Sequence, residues 1–209
     1  MNTTANVLPE VTRPNVGTVM SSEWTVRTPE RQLETVEILV DVWSDTSRWP
    51  DGLYTYSFYL GTDGSTVLHY SQWRDDQAYR DFFQAGRKPR VERIDAAVPG
   101  IERHDLAFYD LHRSVRAAPA GARPEAIVTE FVPAEGPEHA RRLAAELAAA
   151  RERVQPDGLV SAHFHVASDG SRVLDYSEWA DEAGARAYLA AAGGRRVKVF
   201  RPYRALAAR

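Results

Sequence analysis

The chain has 209 residues and a mass of 23.4 kDa, and its 44% hydrophobic and 26% charged residues are typical of a folded protein with one or two domains. A net charge of -3 argues against a general nucleic-acid binder, because such proteins carry basic surfaces that neutralise phosphates. The lack of cysteine excludes disulfides, thiolate nucleophiles, iron–sulfur clusters and cysteine-based zinc sites.

The N-terminal residues 1–17 predict a flexible arm, since they contain Pro9, Pro14 and scattered polar residues. The sequence shows neither a signal peptide nor an apolar run of about 18 residues, which a membrane-spanning helix would need. We therefore expect a cytoplasmic protein that binds neither membranes nor nucleic acid.

The first half of the chain predicts the order strand, helix, strand, strand, helix, strand. Thr28 followed by Pro29 is typical of a helix start, because Pro fits the first turn. The run TDGS at 62–65 predicts a tight hairpin, since Gly accepts a positive φ, and Asp75 or Asp76 can cap the second helix. The strands are predicted near 19–26, 53–60, 66–73 and 103–111, and the second helix is predicted to end at 86. The helical residues expected to face a core are Leu33, Val36, Leu39, Val40, Trp43, Ala78, Tyr79, Phe82 and Phe83.

An internal duplication organises the chain. A shift of 106 positions aligns residues 50–82 with 156–188 without a gap and gives 15 identities in 33 positions, including Trp73 with Trp179. The second half therefore repeats the predicted order of the first. Its elements are predicted as a strand at 126–132, a helix from 137 to about 154, a hairpin at 159–178, a helix from about 181 to 193 and a strand at 197–205.

The order βαββαβ is that of a ferredoxin-like unit, whose two helices cover one face of a four-stranded sheet and leave the other face bare. We predict an α+β fold of two tandem ferredoxin-like repeats packed sheet to sheet as an intrachain dimeric α+β barrel. The predicted domains are 18–115 and 126–209, joined by a linker at 116–125 that is rich in Ala, Pro and Gly.

Candidate functional residues lie on the hairpin strands. Because successive side chains of a strand point to opposite faces, His69, Ser71 and Trp73 share one face. We expect this set of polar residues and a tryptophan to line a cavity inside the barrel.

The segment TVLHYSQWRDDQAYRDFF at 66–83 resembles the antibiotic biosynthesis monooxygenases, and in particular the anthrone-oxidising enzymes of aromatic polyketide pathways. The shared pattern comprises a polar residue four positions before the strand-end Trp, an acidic helix start and a Tyr six positions after the Trp. The resemblance implies an active site formed by His69, Trp73, Tyr79 and Arg93. His69 stands where the family usually has Asn.

The resemblance further implies a monooxygenase without a cofactor or metal, whose partners are an aromatic polyketide and dioxygen. The deprotonated anthrone or phenol passes an electron to dioxygen, recombines as a hydroperoxide and loses water to give a quinone. Arg93, Tyr79 and the Trp73 indole N–H would donate hydrogen bonds to the oxygen where negative charge develops. His69, with an ordinary pKa of about 6.5, is the candidate general base.

The second repeat keeps less of this pattern. Asp175 replaces His69, Ala185 replaces Tyr79, and Arg93 has no counterpart, so we expect the working site in the first repeat. The other polar and aromatic residues expected to contact the substrate are Ser57, Tyr59, Ser71, His163, His165, Asp175 and Trp179.

Three alternatives stay open. Two histidines and a carboxylate, His163, His165 and Asp175, could form a metal triad, although we expect no metal site. Haem degradation is disfavoured, because the position ten residues after each Trp is Phe83 or Leu189 rather than a ligating His. A non-catalytic polyketide-binding or cyclase-like protein could use the same cavity. The chain could act as a monomeric pseudo-dimer or as a homo-oligomer.

Overall fold

The computed structural model describes residues 8–45, 49–119, 121–191 and 196–207. The chain divides into two compact units, and strands β4 and β8 contribute residues to both of them. Of the described residues, unit 1 holds 8–108 with 202–207, and unit 2 holds those between 109 and 201. The elements in chain order are β1 (Thr18–Thr25), α1 (Pro29–Trp43), β2 (Leu53–Gly61), β3 (Thr66–Trp73), α2 (Asp76–Ala85), α3 (Arg87–Ala97), β4 (Glu102–Arg116), β5 (Ala126–Pro133), α4 (Pro137–Arg153), β6 (Leu159–Ala167), β7 (Arg172–Trp179), α5 (Glu182–Ala191) and β8 (Val197–Ala207).

Unit 1 is built on antiparallel strands in the order β1, β3, β2. The predicted helix starts are confirmed, because the side chains of Thr28 and Asp75 accept hydrogen bonds from the backbone N–H groups of Arg31 and Ala78. The predicted hairpin is confirmed as well. Asp63 Oδ1 accepts the N–H of Ser65 at 2.8 Å, and Gly64, which lies between these two residues, has a φ of 71°.

Unit 2 has the strand order β8, β5, β7, β6, with residues 109–116 of β4 added beside β6. Its hairpin repeats the first, since Asp169 Oδ1 accepts the N–H of Ser171 at 2.9 Å. The order of the four strands and of the two intervening helices confirms the ferredoxin-like repeat. Helix α5 is described up to Ala191, and the predicted helical residues 192–193 lie outside the described residues.

Helix α3, which was not predicted from the sequence, lies between α2 and β4. Its sequence RKPRVERIDAA contains good helix formers but only one buried residue, Ile94, so it has no apolar periodicity that would reveal it. Gly86 ends α2 and begins α3. This helix accounts for the roughly ten residues by which the first repeat exceeds the second.

The face of the sheet that carries His69 differs from the expectation. In unit 1, Val67 and Trp73 of β3 pack in one core with Leu39 of α1 and Phe82 of α2. His69 lies between Val67 and Trp73 on the same side of the strand, so it faces the helices of its own unit. The prediction that this set lines a barrel interior is therefore corrected.

Two predicted core residues are exposed: Leu33 is 46% exposed and Phe83 is 50% exposed. Phe83 follows the buried Phe82 by one position, which is a rotation of about 100° around the helix, and so it lies off the core face. In the described part of the chain, no helix combines the length and the apolar character required to cross a membrane.

The predicted arm and linker are described in part. Residues 1–7 of the predicted arm lie outside the described residues, as does Ala120 of the predicted linker. Residues 8–17 pack against the rest of unit 1: Val11 is buried, and the carbonyl of Glu10 accepts a hydrogen bond from Gln72 Nε2 at 2.8 Å.

Candidate active site

A partly enclosed cavity of about 100 Å³, called here the inner cavity, lies in unit 1 between the sheet and helices α1 to α3. Its walls are mostly aromatic, and three guanidinium groups also reach it. The aromatic lining residues are Trp24, Trp43, Tyr56, Trp73, Tyr79 and Phe82, and the arginines are Arg87, Arg90 and Arg103. Aromatic walls lower the local dielectric constant, which strengthens charge interactions beside them.

His69 is fully buried behind two of these lining residues, Tyr56 and Trp24. Its Nδ1 is 2.9 Å from the Tyr56 hydroxyl, and its ring centroid is 4.1 Å from that of Trp24. Burial, helped by the charge of Arg103, lowers the pKa of His69 to about 3, so the ring is neutral at pH 7. Its Nε2 is buried without a hydrogen-bond partner among the described residues.

The Tyr56 hydroxyl connects His69 with the inner cavity. Burial strongly raises the pKa of Tyr56, so this hydroxyl keeps its proton at neutral pH. It can donate that proton to Nδ1 while its oxygen accepts another hydrogen bond. Tyr56 was not among the residues predicted from the sequence, although its spacing of two from Phe58 places it on the face of His69.

Trp73 lines the inner cavity with its ring rather than with its N–H. The indole Nε1 donates to Ser71 Oγ at 2.8 Å, so this donor is occupied, contrary to the expectation that it would meet a substrate oxygen. The same arrangement recurs in unit 2, where Trp179 donates to Ser177 Oγ at 3.2 Å.

Tyr79 lies at the edge of the inner cavity. Its ring makes an edge contact with Trp73, with centroids 5.3 Å apart, and another with Phe108 at 4.9 Å. Burial raises the pKa of Tyr79, and Arg87 opposes this shift. Its hydroxyl therefore remains a hydrogen-bond donor at neutral pH.

Arg93 does not line the inner cavity. It lies on α3, forms an ion pair with Asp41 and is more than half exposed. It borders a separate surface groove of about 500 Å³, called here the acidic groove because Asp45, Asp51 and Asp81 line it.

The predicted contacts Ser57 and Tyr59 lie on the opposite face of the sheet from His69. In the β2–β3 register, Phe58 pairs with His69, whereas Ser57 pairs with Tyr70. Both residues are buried and border a small void of about 10 Å³. The structure does not bring them together with the inner cavity.

In unit 2, Asp175 occupies the repeat position of His69 and forms a buried ion pair. Arg151 Nη2 donates to its Oδ2 at 2.9 Å and also to the Tyr188 hydroxyl at 2.8 Å. Burial raises the pKa of Asp175 to about 6, although Arg151 lowers it and Glu130 raises it further. A polar cluster of Glu130, Arg151, Asp175 and Tyr188 thus stands where unit 1 has aromatic residues.

The two histidines of β6 point away from this cluster. His163 pairs with Tyr176 and His165 with Leu174, while Asp175 pairs with Phe164, so the three proposed metal ligands do not share a face. His163 instead contacts Ser114 Oγ through Nδ1 at 2.9 Å and Ser161 Oγ through Nε2 at 3.0 Å. Within the described ranges, no group of three or more His, Asp or Glu side chains is arranged to hold a metal ion.

Comparison with known proteins finds a solved structure with a similar fold and an enzyme with a similar sequence. No family model matches the chain. Among solved structures, an anthrone oxidase-like protein has a TM-score of 0.71 and 14% identity, covering 92% of this chain and 93% of its own, which supports the fold. Tetracenomycin-F1 monooxygenase of Streptomyces glaucescens is 38% identical over 95 residues, which are 45% of this chain and 82% of that enzyme. The chain belongs to the antibiotic biosynthesis monooxygenase family.

The cations of the inner cavity were not predicted from the sequence. Arg87 and Arg90 are three positions apart on α3 and lie on the same side of the helix as the buried Ile94. Both side chains therefore reach the cavity. The guanidinium of Arg90 stacks over Trp43 at 4.7 Å, and that of Arg103 over Trp24 at 4.4 Å. If RKPRVER at 87–93 had been interpreted as a helix, Arg87 and Arg90 would have been predicted to lie on one face of it.

Proposed function

We propose that the chain is a cofactor-independent monooxygenase that oxidises an anthrone-type or phenol-type polycyclic aromatic polyketide to a quinone. Removal of a proton gives a carbanion or enolate, which passes one electron to dioxygen. The substrate radical and superoxide combine into a hydroperoxide, and loss of water leaves the new carbonyl group. One oxygen atom of dioxygen thus enters the product and the other leaves as water.

The observation that carries this proposal is an aromatic, partly enclosed cavity with guanidinium groups at its wall, in a member of this family. Flat aromatic walls suit a fused-ring substrate. The positive charges stabilise the enolate in a site of low dielectric, which is where such stabilisation is strongest. Arg87 takes the role predicted for Arg93, whose charge is paired with Asp41. Arg103 also lines the cavity, but its Nη2 donates to Asp95 Oδ1 at 2.6 Å, so part of its charge is already compensated.

His69 remains the proposed proton acceptor, and it acts through Tyr56. The substrate proton moves to the Tyr56 oxygen while the Tyr56 proton moves to His69 Nδ1, so that no free tyrosinate forms. The ring is neutral at pH 7, so Nδ1 has a free lone pair for this proton, but its pKa of about 3 makes it a weak base. Negative charge on the bound enolate compensates the cost of the imidazolium that results.

The test is turnover of dithranol, a three-ring anthrone, by the purified protein in the presence of EDTA and without flavin. We expect oxygen uptake equal to quinone formation, at a rate at least 100-fold above that of buffer. With ¹⁸O₂, one labelled atom should appear in the quinone. A rate equal to that of heat-denatured protein would overturn the proposal.

The weak basicity of His69 favours a second candidate, a non-catalytic polyketide-binding or cyclase-like protein. Such a protein would bind dithranol and its quinone with similar affinity and would take up no oxygen. Binding without turnover in the same experiment would therefore favour this function.

A further inference from the structure

A second depression, called here the apolar mouth, adjoins the inner cavity. It has a volume of about 350 Å³, and Tyr79 and Leu106 line both spaces. Phe83 and Phe108 form most of its remaining apolar surface. The two exposed residues Phe83 and Leu106 are 50% and 48% accessible. Exposed apolar residues grouped beside a cavity are typical of a ligand-binding surface.

The inner cavity alone is too small for a fused-ring substrate. Its volume of about 100 Å³ lies well below the roughly 300 Å³ at which pockets for drug-sized ligands begin. Together with the apolar mouth, it reaches that range. A substrate of three or more rings therefore has to extend beyond the inner cavity.

The acidic groove is larger but less suitable for the outer rings. Carboxylates outnumber guanidinium groups in its lining, and Asp45 and Asp81 would repel a substrate that reacts as an anion. Arg90 and Phe82 separate this groove from the inner cavity. Arg90 is held there by stacking over Trp43 and Phe82 and by a 2.9 Å hydrogen bond to the Gly86 carbonyl.

The apolar mouth has the opposite character. Of the described residues that line it, Arg80 carries the only formal charge, which is positive. The guanidinium of Arg87 stacks on Phe83 at 5.0 Å, so the aromatic surface and the positive charge coincide.

The two shared wall residues differ in how firmly they are held. Tyr79 is 5% exposed and packs between Trp73 and Phe108, whereas Leu106 is half exposed and aliphatic. Leu106 is therefore the less constrained of the two, because about half of its side chain is already accessible to solvent.

We propose that the apolar mouth is the access route to the inner cavity and the outer binding subsite for a planar aromatic substrate of at least three fused rings. This inference rests on the proposed function for the identity of the ligand. The reacting ring occupies the inner cavity, and the outer rings lie on Phe83 between Arg87 and Phe108. Leu106 is the movable wall.

The test measures association of danthron, a three-ring quinone, by stopped-flow absorbance, so it does not require turnover. Leu106→Trp narrows the mouth and should lower the association rate constant at least tenfold. Ala85→Trp narrows the acidic groove, and Leu33→Trp adds a tryptophan at an equally exposed leucine of α1. Both controls should stay within twofold of the wild-type rate. If danthron associated slowly with Ala85→Trp but at the wild-type rate with Leu106→Trp, the acidic groove would be the access route and the proposal would be overturned.

Two further variants keep the test decisive if Leu106→Trp does not fold. Leu106→Ala should accelerate association. Phe83→Ala should weaken danthron binding at least threefold but leave juglone, a two-ring quinone, unchanged, because two rings do not reach Phe83. Unchanged kinetics in both variants, or failure of the wild type to bind danthron, would overturn the inference. Danthron binding through the mouth, combined with no oxygen uptake when dithranol is supplied, would instead overturn only the proposed oxidation.

Discussion

At the scale of single residues, the hydrogen bond between Tyr56 and His69 is the contact on which the proposed chemistry depends, since it joins the proposed base to the inner cavity. We predict that Tyr56→Phe and His69→Ala each lower kcat for dithranol by about 100-fold or more, the usual effect of losing a general base. Because both groups belong to one proton path, the double variant should be no slower than the slower single variant.

Tyr54→Phe is the matched control, because Tyr54 lies on the same strand and outside the inner cavity. Its kcat should stay within twofold of the wild-type value. A His69→Ala variant within about threefold of wild type would exclude His69 as the base. Losses that multiply in the double variant would exclude a shared path.

The hydrogen bond from each strand-end tryptophan to a serine is a second feature at this scale. Ser71→Ala leaves the fully buried Trp73 N–H without its acceptor, so we predict a loss of about 1–3 kcal/mol in the free energy of unfolding. Ser177→Ala provides the matched change in unit 2, where the bond is longer at 3.2 Å, and its loss should be no larger. Denaturant titration followed by tryptophan fluorescence measures both. Unchanged stability in Ser71→Ala would show that the bond contributes nothing.

At the scale of elements, helix α4 and strand β7 are joined by the ion pair of Arg151 with Asp175. Burial raises the pKa of Asp175 from 3.8 in an unfolded chain to about 6, so the folded state holds the proton more tightly. The protonated form therefore stabilises the fold at low pH, and this contribution is lost as the pH rises from about 4 to about 6.

Asp175→Asn keeps a hydrogen-bonding side chain but removes the titration. Between pH 4 and pH 6, the free energy of unfolding of the wild type should fall with rising pH relative to Asp175→Asn, by up to about 1 kcal/mol per pH unit. Urea titrations of both proteins at four pH values measure this difference. Parallel pH profiles would show that Asp175 has an ordinary pKa in the folded protein.

Elements with local signals were predictable, and those that depend on tertiary packing were not. Thr28 and Asp75 identify helix starts because capping is a contact over three residues. Helix α3 gave no such signal, since it buries only Ile94. Alternation along β3 correctly grouped His69 with Trp73, but alternation cannot tell which face the helices cover, and so the position of the cavity was mispredicted.

At the scale of the whole molecule, the duplication has produced two repeats with different interiors. By the shift of 106 positions, Trp24 corresponds to Glu130, His69 to Asp175 and Phe82 to Tyr188. The three residues of the second repeat, with Arg151, form a buried polar cluster instead of an aromatic cavity. Apolar ring surfaces gain nothing by displacing this ion pair, because the charges of Arg151 and Asp175 would lose each other as partners.

We therefore predict that each chain binds one aromatic ligand, in unit 1. Isothermal titration with danthron should give a stoichiometry close to one per chain. Met20→Trp, which fills the inner cavity from β1, should abolish this binding, because Met20 is buried at the cavity wall. Tyr188→Phe removes a hydroxyl from the cluster in unit 2 and should leave both the stoichiometry and the affinity unchanged within twofold. A stoichiometry of two, with one site surviving in Met20→Trp, would mean that the polar cluster of the second repeat also accepts an aromatic ligand.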